Sequence, residues 1–274
     1  MSVVNKIFGN FKSSGILVKL IVVNVAVFLI LNLSYHFGSL DLSKYTVMYS
    51  EPFAFLTHFW GLFTYMFTHM DLGHVFYNML WLFFMGQAFI SIIGANRVFF
   101  VYLFGGISGG LLYMLSALVF PQLDGALLGA SAAVMAITVA IGFYAPNLPV
   151  NVFLIGEVKL KWVVLGSFVM FSLIDFSVNS GGKISHIGGA VFGMIYGIQL
   201  KNRRDIGTWF TNLFQPRSKL KLVHSTRLSD EEYNYNRNQK EKTLDELLEK
   251  IHKSGYDSLS KKDKETLHRL SKNQ

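Results

Sequence analysis

Residues 127–136 read Leu127-Leu128-Gly129-Ala130-Ser131-Ala132-Ala133-Val134-Met135-Ala136, a single hydroxyl at the start of a long apolar helix whose nearby residues are small. A serine in such a place is an ordinary packing residue where helices touch in lipid. Its meaning changes with three polar residues in other apolar stretches: His74 and Asn78 in one, His186 in another.

Working outward, the chain of 274 residues is 51% hydrophobic and only 15% charged, with a mean hydropathy of +0.38. A soluble domain carries about 25% charged residues, so this composition specifies a polytopic, all-α membrane protein. There is no cysteine, which excludes disulfides and thiol catalysis. The net charge of +8 lies in loops beside apolar segments and in the C-terminal tail. That placement points to membrane lipid and away from nucleic acid.

Six apolar segments are expected to span, at about 16–33, 73–93, 98–120, 129–145, 160–178 and 184–200. All five prolines fall outside them. Residues 52–70 are apolar enough to suggest another crossing, but the basic residues argue against it. Lys6, Lys12, Lys19, Arg97, Lys159, Lys161, Lys201, Arg203 and Arg204 fall on one side if six segments cross, whereas Lys44 and Lys183 fall on the other. The positive-inside rule then places both termini in the cytoplasm of a cell (inner or plasma) membrane protein and makes 52–70 a re-entrant or interfacial hairpin. The domain reading is a cytoplasmic segment 1–13, a membrane domain 14–202, a basic linker 203–242 and a small helical hairpin 243–274. Thr243-Leu244-Asp245-Glu246 has the form of a capping box, Gly255 of a helix stop, and Ser260 of a second start.

Spans two, four and six begin on the same external side, so His74, Asn78, Ser131 and His186 should share one shallow level. Hydrolysis by serine needs a nucleophile, a base and donors for a developing oxyanion. Ser131 can be the first and neutral His186 the second. Asn78 offers an amide, His74 lies one turn away on the same helix face, and the Ser131 backbone N–H adds a donor. No carboxylate stands at a position to orient His186, so the economical reading is a dyad. Gly189, Gly193 and Gly197 repeat every fourth residue, as do Ala132, Ala136 and Ala140, and such faces let two helices approach closely. Gly106 and Gly110 give span three a similar face. His69, His74 and His186 have no metal-site spacing or acidic companion, so neither a metal nor another cofactor is called for.

Phe67-Thr68-His69-Met70-Asp71-Leu72-Gly73-His74-Val75-Phe76-Tyr77-Asn78, Gly129-Ala130-Ser131-Ala132 and His186-Ile187-Gly188-Gly189 occur in that order on alternate spans. Together with Leu20–Phe28 around Asn24, they give residues 16–200 a form that resembles the rhomboid family of intramembrane serine proteases. The resemblance implies a six-transmembrane-helix bundle with Ser131 as nucleophile, His186 as general base, and His74 and Asn78 as oxyanion stabilisers. It also implies transmembrane-helix proteins as substrates and a water-filled site open to the external side. The C-terminal tail resembles extensions of bacterial members. The sequence departs from the family pattern at Ala132, where Gly is common, at Gly61, where an Arg follows the Trp, at Met135, where a Tyr is common, and at Ile90, where a carboxylate is usual. The departures at Gly61, Met135 and Ile90 motivate the alternative of a non-catalytic rhomboid-like protein that binds transmembrane helices.

Overall fold

The computed structural model describes residues 15–38, 40–120, 123, 125–152, 155–172, 180–213 and 230–271. The N-terminal segment 1–13, the end of the fifth expected span beyond residue 172 and the basic stretch 214–221 lie outside the described residues. In chain order, Gly15–Gly38 forms α1, Met48–Tyr49 β1, Pro52–Thr57 α2 and Gly61–Thr64 α3. Leu72–Ile92 is α4 and Val98–Val119 α5. Ala126–Leu127 is β2, Ser131–Tyr144 α6, and Pro149–Val152 and Gly156–Lys159 form β3 and β4. Leu160–Ser172 is α7, Ser180–Lys201 α8 and Thr208–Leu213 α9. These belong to one compact unit, and α10 (Asp230–Ser254) and α11 (Lys261–Ser271) to a second.

The apolar runs become helices because each is long, lacks an internal proline and can satisfy its own backbone in lipid. Among the described residues, three are long and apolar enough to cross a membrane by length and composition: α1, α4, and α5 with the turn before it. The serine helix is shorter. Its 14 residues rise about 21 Å, roughly 9 Å less than a 30 Å hydrocarbon core. It starts at Ser131 rather than at 129, because Gly129 has φ of +113°, a left-handed conformation that no helix interior contains.

Residues 52–70 form only short helices, none long enough to span a bilayer. Glu51 caps α2 by accepting the N–H groups of Phe53 and Ala54, with Pro52 in the first turn. The chain then breaks at His58, re-enters as α3 and closes in a 3-10 turn at Tyr65–Phe67. Phe53, Leu56, Phe59 and Phe63 point outward, as expected of a segment lying at a lipid interface. Gly61 is buried. A β-carbon there would collide with the Val47 carbonyl, so the main chain leaves no room for a side chain at this position.

Helix α6 is almost wholly enclosed, every residue from Ala132 to Gly142 being buried. Against it, a β-carbon at Gly189, Gly193 or Gly197 would strike the carbonyl of Ala132, Ala136 or Ala140 respectively. The two four-residue repeats therefore meet each other in register. Span three divides its glycines differently from the expectation: Gly105 and Gly109 face Ala136 and Ala132, whereas Gly106 and Gly110 face Met66 of the re-entrant segment and Met48 of β1.

The stretch expected as a linker, 203–242, contains α9 and the first half of α10. Helix α9 forms because Trp209 and Phe210 pack on the aromatic face of Phe100 and Phe104. Asp205 anchors its start, pairing with Arg97 at 2.6 Å and accepting the Gly207 N–H at 3.0 Å. In the second unit, Thr243 is a helix-interior residue whose hydroxyl donates to the Gln239 carbonyl at 2.9 Å. The acidic run at 230–232 suits a helix N-terminus better, and i,i+4 pairs such as Lys253–Glu249 extend the helix. Gly255 takes φ of +79° and the Ser260 hydroxyl accepts the Asp263 N–H. Leu247 and Leu259 are the buried contacts of that hairpin.

The glycine contacts give a paired prediction. Gly193→Leu should lower the unfolding temperature of the detergent-purified protein, overpacking of this kind costing about 1–3 kcal/mol or more. Gly166→Ala on α7, where nothing lies within 4 Å, should be neutral or raise stability by roughly 0.5–1 kcal/mol.

Candidate active site

Two polar side chains from different helices meet inside this apolar bundle. Ser131 Oγ lies 2.6 Å from His186 Nε2. His186 Nδ1 lies 2.9 Å from the carbonyl oxygen of Phe171. A carbonyl can only accept, so Nδ1 carries the ring hydrogen, Nε2 is bare, and the serine hydroxyl donates to it. Phe171 belongs to α7. The orienting role expected of a carboxylate thus falls to main chain.

The depths agree with this meeting. His186 lies less than one turn before Gly189, which abuts Ala132 beside Ser131, and Asn78 is six residues into α4, about 9 Å below that helix start at 1.5 Å per residue. Ser131 begins a helix about that much too short. His74 is higher, two residues into α4. The four residues line one cavity of about 230 Å³, closed by Trp81, Met135 and Phe171 among others. Met135 is buried and fills the wall below the dyad with a flexible apolar side chain. The Asn78 amide nitrogen donates one hydrogen to the His74 carbonyl at 2.9 Å, leaving its second hydrogen for another acceptor. The His74 backbone N–H is itself capped by Asp71 at 2.7 Å.

The non-helical approach to Ser131 is held by the re-entrant segment. β2 pairs antiparallel with β1, Met48 opposite Leu127. The Gly129 N–H donates to the Tyr65 carbonyl at 2.9 Å, and the Ala130 N–H donates to His69 Nε2 at 3.3 Å. A β-carbon at Gly129 would fall on the His74 ring. His69 is fully buried, its ring 5.1 Å from that of His74 in an edge-to-face arrangement. Sequence reading raised His69 only as a metal candidate, and it missed Tyr65 and Phe171, which act through main-chain atoms that carry no residue-type signal. Tyr65 in turn donates its hydroxyl to the Gly106 carbonyl at 2.6 Å. Tyr102 donates to the Met66 carbonyl at 2.9 Å and receives the Asn24 amide at 3.1 Å.

A rhomboid-domain family model matches residues 56–203, more than half of the chain. The chain belongs to the rhomboid family. The fold is accordingly the helical membrane bundle of that family, and the protein is embedded in the membrane through several passes. Residues 229–273 match a family of unknown function, DUF6576. Rhomboid protein 1, mitochondrial, of Saccharomyces cerevisiae is 25% identical over 160 residues, which take in 53% of this chain and 45% of that protein. The match thus spans less than half of that relative's length.

The His69 bond is testable by substitution. His69→Phe leaves the buried Ala130 N–H without its acceptor and should cost about 1–3 kcal/mol of stability. His69→Gln, whose side-chain oxygen can accept, should recover part of the lost unfolding temperature.

Proposed function

We propose that this chain is an intramembrane serine endopeptidase, hydrolysing peptide bonds in or near transmembrane segments of membrane-protein substrates through a Ser131–His186 dyad. The observation that carries the reading is the 2.6 Å contact between Ser131 Oγ and His186 Nε2, with the far ring nitrogen held by a carbonyl. Membership of the rhomboid family supports it. The departures at Gly61 and Met135 are consistent with it, since Gly61 is closely packed against the Val47 main chain and Met135 is buried beside the dyad.

In this mechanism Ser131 Oγ attacks the scissile carbonyl while its proton passes to His186 Nε2. The Phe171 carbonyl, bonded to Nδ1–H, stabilises the imidazolium that forms. The negative charge on the tetrahedral oxygen is met by the Ser131 backbone N–H, the free hydrogen of Asn78 and the His74 ring. Collapse breaks the C–N bond as His186 returns its proton to the leaving amine. Water, activated by the same imidazole, then hydrolyses the acyl-enzyme. A substrate helix has its carbonyls bonded internally, so cleavage requires local unwinding and favours segments with weak helix formers. The reading includes a cell-membrane location with both termini cytoplasmic, supported by the distribution of Lys and Arg. It makes the C-terminal hairpin a cytoplasmic appendage.

Labelling of the purified protein with a fluorophosphonate probe tests the dyad. Wild type should label, and Ser131→Ala and His186→Ala should not; equal labelling of the Ser131→Ala protein would overturn the assignment. A folded wild type that neither labels nor cleaves, together with normal cellular function of the Ser131→Ala/His186→Ala double variant, would instead favour a protein that binds transmembrane helices. Asn78→Ala should lower kcat on a model transmembrane substrate by on the order of 10²-fold with little change in KM, the loss expected for one oxyanion donor.

A further inference from the structure

A second and larger cavity, of about 850 Å³, opens between α6, α7 and α8, and none of His74, Asn78, Ser131 or His186 lines it. Its volume lies within the roughly 300–1,000 Å³ range of sites that enclose a small-molecule ligand. Its walls are apolar, formed by Val139 and Phe143 of α6, Leu165 and Phe168 of α7, and Val191 and Met194 of α8. Polarity is confined to one end, where Lys161, Lys201 and Asn202 stand beside Trp162. Along α8 the lining runs from Ile187 to Lys201. That is about 21 Å at 1.5 Å per residue, somewhat more than one leaflet of a hydrocarbon core about 30 Å thick.

We propose that this groove holds one anionic glycerophospholipid, its phosphate between Lys161 and Lys201 and its acyl chains along α6, α7 and α8. An apolar groove that faces lipid and ends at a membrane surface takes up acyl chains, and the charge at its mouth selects the headgroup. Both lysines are exposed, and neither is ion-paired among the described residues. Lys161 Nζ sits 5.2 Å from the centre of the Trp162 ring, a cation on an interfacial aromatic. Asp205, the carboxylate closest in sequence to Lys201, is engaged by Arg97. Basic pockets between spanning helices are where anionic headgroups bind. The site is independent of whether the dyad is active, because it is read from binding alone.

The test uses the full-length protein, delipidated in detergent and offered phosphatidylglycerol or phosphatidylcholine with identical acyl chains, with retained lipid counted by native mass spectrometry. Wild type should retain one phosphatidylglycerol about tenfold or more tightly than phosphatidylcholine, the scale set by two lysines beside one headgroup. Lys161→Ala/Lys201→Ala, changed only at exposed positions, should bring the two lipids to near-equal retention. Val191→Trp, which fills the groove from an exposed wall position, should lower retention of both lipids. Millimolar inorganic phosphate should leave the bound phosphatidylglycerol in place, since the acyl chains supply most of the contact. Equal retention of the two lipids by wild type, an unchanged preference in the double lysine variant, unchanged retention in Val191→Trp, or displacement by phosphate alone would each overturn the proposal.

Discussion

The contact on which the rest of the membrane unit depends is main chain against main chain, Gly189, Gly193 and Gly197 of α8 on the carbonyls of Ala132, Ala136 and Ala140 of α6. Helices in lipid gain no hydrophobic free energy by meeting one another, so close packing of small residues has to hold them. The same contact fixes a register. His186 precedes Gly189 by three residues and Ser131 precedes Ala132 by one, so the glycine–alanine pairing determines where imidazole and hydroxyl stand. A slip of one helical turn would move them about 5.4 Å relative to each other, well beyond the reach of a hydrogen bond. A bulky residue anywhere along the seam would disturb the site even at Gly197, about three turns from His186.

Burying α6 so completely creates a second demand. A helix that starts below the membrane surface must be reached by irregular chain, whose backbone groups have no water to bond. Residues 125–130 solve this by borrowing partners from the re-entrant segment: β1 for β2, the Tyr65 carbonyl for Gly129, His69 for Ala130. The re-entrant segment is held in its turn by the Asn24–Tyr102–Met66 chain of bonds and by Tyr65 on Gly106. Polar side chains that look isolated in the sequence of α1 and α5 thus form the scaffold of the turn before Ser131.

The spans, the short-helix hairpin and the two small-residue faces were legible because they rest on hydropathy, charge placement and periodicity, which residue types carry directly. The polar residues His74, Asn78, Ser131 and His186 stood out for the same reason, each anomalous in an apolar helix. What could not be read was whatever main-chain atoms supply. The partner of His186 is a carbonyl, the group packed against Gly61 is a carbonyl, and the left-handed turn at Gly129 is one glycine among 24 in the sequence. The C-terminal hairpin was misjudged at Thr243 for a local reason. A capping-box pattern and a helix-interior threonine read alike until the hydroxyl is seen to return to the carbonyl four residues back.

The choice of a carbonyl to orient His186 follows from where the imidazole sits. A carboxylate at that depth would carry its charge into the apolar bundle, at a cost of several kcal/mol unless fully paired. A main-chain carbonyl such as that of Phe171 can fix the tautomer without adding a charge. Such an acceptor is weaker: a bond to a neutral oxygen stabilises an imidazolium less than a charge-assisted one. For the proposed reaction this means a base that is well placed and only modestly supported. More of the barrier must then be lowered by donors at the oxyanion and by substrate positioning. It also makes α7 part of the dyad in a mechanical sense. Any displacement of α7 around Phe171 carries that carbonyl with it and frees the ring to turn away from Ser131.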